Sequence, residues 1–316
     1  MPVLRYPWSM CYSAQVRASY KRYVREFGAD VSIKQFFRLY WDRSQGAKIR
    51  IPKAVDAAFA EPETDEDRKI KALIDAYDAE QASKLEQELF KQRKRLADAE
   101  RTLQSKTTKA ALESRRIAGD KVEWCLGKLN DLRRTELHDE DHRIFPGWYA
   151  PVLIERGGRR IVVPMRYQCR LAGKPAFYDA KYPGTYNARR DNLEGFWKGQ
   201  FGHTHGITIA RRFYENVDRN GKNAILEFTP AGLDDMIVAC LYSRWVGADG
   251  EELLSFAAIT DEPPPEVAAA GHDRCIIPIK PEHIDAWLNP DPANLGAMQA
   301  ILDDRERPYY EHRLAA

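Results

Sequence analysis

The chain has little of what usually announces a scaffold. It carries only five cysteines, at positions 11, 125, 169, 240 and 275, scattered and odd in number. No CxxC pair occurs, so neither a zinc cage nor a disulfide framework is signalled. A reducing cytosol is the simplest setting for such thiols. No run approaches the ~18 apolar residues of a membrane span. Residues 1–9 hold one arginine and no apolar h-region, unlike a signal peptide. Charge of one sign is also missing: the formal net charge is +2 over 316 residues. A basic groove must therefore be sought locally, because the total does not indicate one. What is present is ordinary core material. Hydrophobic residues make up 44% and aromatics 11%, which excludes a disordered chain and suits one or two domains.

Local shortages divide the chain further. Residues 61–116 contain no glycine and only one proline, Pro62. Leu85, Leu89, Leu96 and Leu103, with Ala82 and Ala99, follow a ladder of three- and four-residue steps interrupted by Gln92. That pattern predicts a long helix with one narrow apolar seam. A second helix over about 108–130 folds back on it through Ala111, Leu112, Ile117, Val122, Trp124 and Leu126. Residues 61–136 therefore read as an inserted helical hairpin. It either packs only on itself or serves as a self-association or protein-partner arm.

The flanking regions differ. Residues 11–60 predict two short helices, "QVRASYKRYVREFG" and "SIKQFFRLYWDR", broken at Gly28 and Asp30, then a short extended piece. In residues 137–290, "PVLIERGGRRIVVPMRYQCR" predicts two strands joined at Gly157-Gly158. "NAILEFTPAG", "MIVACLYSRWV", "LLSFAAIT" and "CIIPI" predict more strands, and "PEHIDAWL" a short helix. Residues 291–316 read as a tail over the surface. The expected class is α+β, a compact β-rich barrel-like core with attached helices and the inserted hairpin.

Four stretches hold the candidate chemistry: "MCYSAQ", "TYNARRDNLEG", "ARRFYENV" and "AGHDRCIIPI". Each alone has an ordinary reading. A single cysteine is usually a small buried hydrophobe, and His272 beside Asp273 and Arg274 suits a structural hydrogen bond. Together, and in this order, they resemble the SRAP family of abasic-site processing proteins, also called SOS response-associated peptidases. The resemblance rests on Met10-Cys11, Asn187-Ala188-Arg189, Phe213-Tyr214-Glu215 and His272-Asp273-Arg274. It covers the start and residues 144–290, outside the hairpin. Tyr12-Ser13, Asn216 and Ile276 depart from the family's usual Gly-Arg, Trp and Pro, the mark of a divergent subfamily.

The resemblance implies a mature chain that begins at Cys11, with residues 1–10 absent as a leader. A cysteine with a free α-amine can condense with the aldehyde of a ring-opened abasic sugar in single-stranded DNA, giving a thiazolidine. Glu215 then moves protons, as general acid–base catalysis requires. His272 protonates the sugar oxygen, and Asn187 holds the sugar or its phosphate. Arg189 suits a phosphate, and Arg211 and Arg212 extend that basic floor or form a solvated edge. Trp148, Tyr149, Tyr186 and Trp197 offer faces for base stacking, or belong to the core. His203 and His205 share a strand face, but no third ligand lies near in sequence, so no metal and no cofactor are expected. A thiol autopeptidase using Cys11 with His272, and a non-covalent single-strand binder, are the rival functions. The expected location is cytoplasmic, on the nucleoid after damage.

Overall fold

The computed structural model describes residues 13–17, 19–219 and 221–315. Strand β1 (Ser13–Val16) precedes helix α1 (Tyr20–Phe27), strand β2 (Asp30–Val31) and helices α2 (Ile33–Ser44) and α3 (Lys53–Ala57). Helices α4 (Asp65–Ser105) and α5 (Lys109–Arg133) follow. Next come β3 (Arg143–Ile144), β4 (Tyr149–Glu155), β5 (Arg160–Tyr167), α6 (Tyr178–Lys181) and β6 (Asn187–Arg189). Then come β7 (His205–Arg219), β8 (Lys222–Pro230), β9 (Met236–Val246), β10 (Glu252–Asp261), α7 (Pro265–Ala269) and β11 (Cys275–Ile276). The chain closes with α8 (Ile284–Leu288), α9 (Leu295–Asp303) and β12 (Tyr310–Leu314). These elements form two units. One comprises residues 1–39, 48–61 and 138–316, and the other residues 40–47 and 62–137.

The first unit is built on a closed ring of strands. β10 pairs β5 in parallel; β5 pairs β4, β4 pairs β7, β7 pairs β9, and β9 returns to β10, all antiparallel. The chain is therefore α+β with a five-stranded barrel and added strands. Closure satisfies both edges of each ring strand, which removes the exposed edges of an open sheet. The β4–β5 hairpin turns at Gly157 and Gly158, at φ +64° and +77°. Two successive positive φ values suit a primed turn, and glycine adopts them without a Cβ clash.

Strand β7 is the spine. Its first half, His205 to Ala210, pairs β9, and its second half, Phe213 to Arg219, pairs β8. β1 lies along its middle, with Ser13 opposite Tyr214 and Gln15 opposite Arg212. The register then slips so that Val16 meets Ala210, leaving Arg211 as the extra residue of a bulge. Phe213 stacks on Phe228 at 5.0 Å, and Tyr310 meets Phe213 edge-on at 5.2 Å. Residues 291–316 are thus more than a surface tail: they carry α9 and β12, and β12 pairs β8. Helix α1 is held by Tyr23, whose hydroxyl accepts from the Ile209 amide at 2.9 Å and donates to the Pro151 carbonyl at 3.2 Å.

In the second unit, α4 runs 41 residues, roughly 60 Å at the α-helical rise. Its start is a capping box, in which Thr64 accepts from the Asp67 amide and Asp67 accepts from the Thr64 amide. Thr108 caps α5 by accepting from the Ala111 amide. Leu89, Cys125 and Leu129 form a small buried cluster, with Ala82, Leu85 and Val122 against it. Ala99, Ala111 and Ala118 are also buried. Gln92 breaks the apolar ladder but donates to Glu88 Oε1 at 2.7 Å. No helix among the described residues is long and apolar enough to cross a membrane.

Candidate functional site

The second half of β7 carries Glu215 into the barrel unit. Glu215 is 0% exposed and stands opposite Leu226 of β8. A carboxyl buried this completely needs a partner. His272 supplies one. Helix α7 ends at Ala269, and Gly271, at φ +98°, turns the chain so that His272 enters the interior at 3% exposure. His272 Nε2 lies 3.0 Å from Glu215 Oε2.

The other ring nitrogen fixes the tautomer. His272 Nδ1 lies 2.9 Å from the Arg274 carbonyl oxygen, an acceptor, so Nδ1 carries a hydrogen. In neutral imidazole the lone pair is then on Nε2, facing a carboxylate oxygen. Nε2 and Oε2, 3.0 Å apart, are close enough for a proton to pass between them. Burial pulls His272 below the ordinary imidazole value, against the Arg274 carbonyl and the Asp273 charge, which pull it up. Both groups are nearly sealed from water.

Strand β10 gathers two other motifs. Its Thr260 pairs Arg189 of β6 on one side and Ile276 of β11 on the other. Asn187 is buried, and its Oδ1 lies 3.5 Å from the Tyr167 hydroxyl. Arg189 is exposed and grips Asp191 through Nε at 3.0 Å and Nη2 at 2.7 Å. Any phosphate there competes with that carboxylate.

The basic floor divides. Arg212 is largely buried and paired with Glu227 at 3.0 Å and Asp139 at 3.3 Å, a structural network shared with Arg313. Arg211, on the bulge, lines a cleft of about 450 Å³ with Thr229, Pro230, Gly232 and Leu233. The aromatics divide likewise. Tyr186 and Trp197 are buried, and Tyr186 packs edge-on against Tyr167 at 5.5 Å, so neither offers a free face. Trp148 and Tyr149 are half-buried, with Trp148 against Phe145 at 5.4 Å.

His205 and His203 make no metal site, and no group of three or more His, Cys, Asp or Glu among the described residues could hold an ion. His205 accepts from the Gly202 amide at 2.8 Å through Nε2 and donates through Nδ1 to the Trp287 carbonyl at 3.1 Å. Its ring lies against Phe201 and Trp287. Burial pulls it down to about 3.

Cys11 and Met10 lie outside the described residues. Cys125, Cys169, Cys240 and Cys275 are all buried. Burial pushes the Cys169 thiol up to about 12 and raises those of Cys240 and Cys275 too, so none of these three is a thiolate at neutral pH. Arg143 was not singled out by the sequence. Its Nε donates to Ser13 Oγ at 2.9 Å, and its guanidinium lies 3.7 Å from the Tyr214 ring centroid. It ties the start of β1 to the residue before Glu215. No motif marks it, because an arginine at the start of a two-residue strand has no distinguishing pattern.

Comparison with solved structures gives partial likenesses. A protein from Bordetella bronchiseptica is 19% identical at TM-score 0.46, covering 55% of this chain and 87% of that one. One from Bacteroides thetaiotaomicron is 15% identical at TM-score 0.45, covering 55% and 77%. A phage-related protein from Bordetella bronchiseptica is 17% identical at TM-score 0.43, covering 58% and 85%. No curated protein matches the sequence. A family model described as SOS response associated peptidase matches residues 100–314, which takes in the end of α4 and all of α5 and leaves Met10-Cys11 outside. Because the match spans more than half of its length, and contains the paired Glu215 and His272, the chain belongs to the SRAP family.

Proposed function

We propose that the protein captures abasic sites in single-stranded DNA by forming a thiazolidine with Cys11, exposed as the first residue by initiation at Met10 or by cleavage before Cys11. The observation that carries this reading is the buried Glu215–His272 pair, 3.0 Å apart. Ser13 lies opposite Tyr214, the residue before Glu215. Covalent geometry keeps Cys11 within about 7 Å of the Ser13 Cα.

The steps balance without redox chemistry. The neutral Cys11 amine attacks the aldehyde carbon of the opened sugar, and the resulting carbinolamine loses one water to give an imine. The thiol then adds across the carbon–nitrogen double bond and closes the five-membered ring. Glu215 takes and returns protons on nitrogen and on the departing oxygen, and His272 refills it. The Arg143–Ser13 bond steadies the chain on which the nucleophile is carried. Asn187 and Arg189 are proposed contacts to the sugar and its phosphate, and Arg211 and Trp148 to the flanking strand. Arg212 and Tyr186 act as supports.

The test is incubation with single-stranded DNA that holds one abasic site, beside the same strand intact. A heat-stable adduct on the abasic strand alone supports the reading. Cleavage of unrelated peptides without an adduct would instead favour a thiol peptidase.

A further inference from the structure

We infer that the loop end of the α4–α5 hairpin is a second nucleic-acid contact, one that grips phosphates and stacks a base independently of the covalent site; this rests on the proposed action on DNA. Residues 91–116 hold nine Lys and Arg against three Asp and Glu, in a chain whose total is only +2. Arg93, Lys94, Lys106, Lys109 and Arg115 are exposed and have no carboxylate partner among the described residues. The other cations nearby are already committed: Arg101 to Asp98, and Arg116 to Glu113 and Asp120.

Shape and chemistry add to charge. A cleft of about 500 Å³ lies between the two helices, lined by Lys91, Lys94, Arg95, Thr108 and Ser114 and by Asp98, which is paired to Arg101. Arg95 Nε donates to Ser114 Oγ at 2.9 Å and so bridges the helices. Cations and hydroxyls together are the donor set for phosphate oxygens. Phe90 is 75% exposed, and Arg93 and Lys94 lie three and four residues on, on the same helical face. An exposed aromatic among cations is the pairing that holds single strands through stacking and charge. The other occupant to weigh is the acidic stretch 61–80 of a second copy. Much of that stretch is already satisfied internally, by Arg68–Asp65, Lys71–Asp75 and Lys84–Glu80.

The experiment compares the full chain with the variant Arg93→Gln, Lys94→Gln, Lys106→Gln and Lys109→Gln. Binding of an intact single-stranded oligonucleotide is read by fluorescence anisotropy across a salt series. The expected result is at least about tenfold weaker binding at low salt and a log–log salt slope shallower by up to about 3, at ~0.7 per lost contact. Phe90→Ala should weaken binding several-fold and leave the slope unchanged. The adduct-forming rate on saturating abasic DNA should not change in either variant. Wild-type affinity and slope in the fourfold variant overturn the inference. So does a wild-type dimer, seen by sedimentation, that the variant loses while keeping its DNA affinity. If the wild-type chain forms no adduct but the slope still changes, the hairpin contact stands and the crosslinking reading falls.

Discussion

The two units handle charge in different ways. The barrel unit places a carboxyl and an imidazole in its interior, Glu215 and His272, 3.0 Å apart, with the second ring nitrogen of His272 on a backbone carbonyl. The hairpin unit buries two charged groups, Arg43 against the Tyr40 and Tyr77 rings and Asp67 in the capping box, and keeps most of its charges at the surface. Buried ionisable groups are costly unless paired, so they persist where a site demands them. Surface cations cost little and act at range through their sum. A second contrast lies within the barrel. His205 is also buried, but both its nitrogens are satisfied by neutral backbone groups, which makes it a structural residue. His272 has a backbone group on one side only and Glu215 on the other.

The largest expected effect is at that pair. Glu215→Gln keeps the shape but cannot carry a proton, so the saturated adduct-forming rate should fall ~10²–10⁴-fold, the usual loss of general acid–base help. Single-turnover rates at saturating abasic DNA check this, beside affinity for an intact strand, which should change far less. A wild-type rate with weakened binding would make Glu215 a contact residue.

The two histidines give the next test. Burial holds His205 at about 3 in the folded chain, against 6.5 when unfolded. Between those values the unfolded chain binds the extra proton, so stability falls as pH drops from about 6.5 toward 3. The slope from this group approaches about 1.4 kcal/mol per pH unit. Urea midpoints from pH 7 to 4, for the wild type and His205→Gln, should show a shallower decline in the variant. Equal slopes would mean that His205 is not held neutral.

The smallest effect on the chemistry is expected from the hairpin. Removing residues 62–137 with a short flexible linker should leave the saturated adduct-forming rate within about twofold, since additivity holds for sites without shared partners. Affinity for DNA should fall by about tenfold or more through lost phosphate contacts. Loss of folding in the deleted chain, seen by circular dichroism, would make the hairpin part of the core.

The sequence made some of this legible and hid the rest. The hairpin was visible because Leu85, Leu89 and Ala99 repeat at helical steps without glycine or proline. The β4–β5 turn was visible because Gly157-Gly158 punctuates two apolar runs. β7's double role was not, because a change of partner between β9 and β8 leaves no periodic trace. β12 was missed for a related reason: "YEHRL" buries only Tyr310, so alternation is absent. At the site, the order of motifs pointed to Glu215 and His272, and the fold brings them into contact. The pairing of Arg212 with Glu227 was invisible because it joins different strands, β7 and β8, and such a partner is a tertiary fact. Tyr186 and Trp197 look the same in sequence whether stacked on a base or packed in a core.

The central claim is that Cys11, with both its amine and its thiol, is the reacting group. The direct measurement is intact mass spectrometry of protein made from its native gene, before and after incubation with an abasic single strand, with peptide mapping of the adduct. The account predicts a chain that begins at Cys11 and gains the mass of the strand less one water, attached at Cys11. It also predicts that Cys11→Ser yields an adduct only when borohydride traps the imine. A dominant species retaining Met1 to Met10, or a heat-stable adduct on Cys11→Ser without reductant, would contradict it.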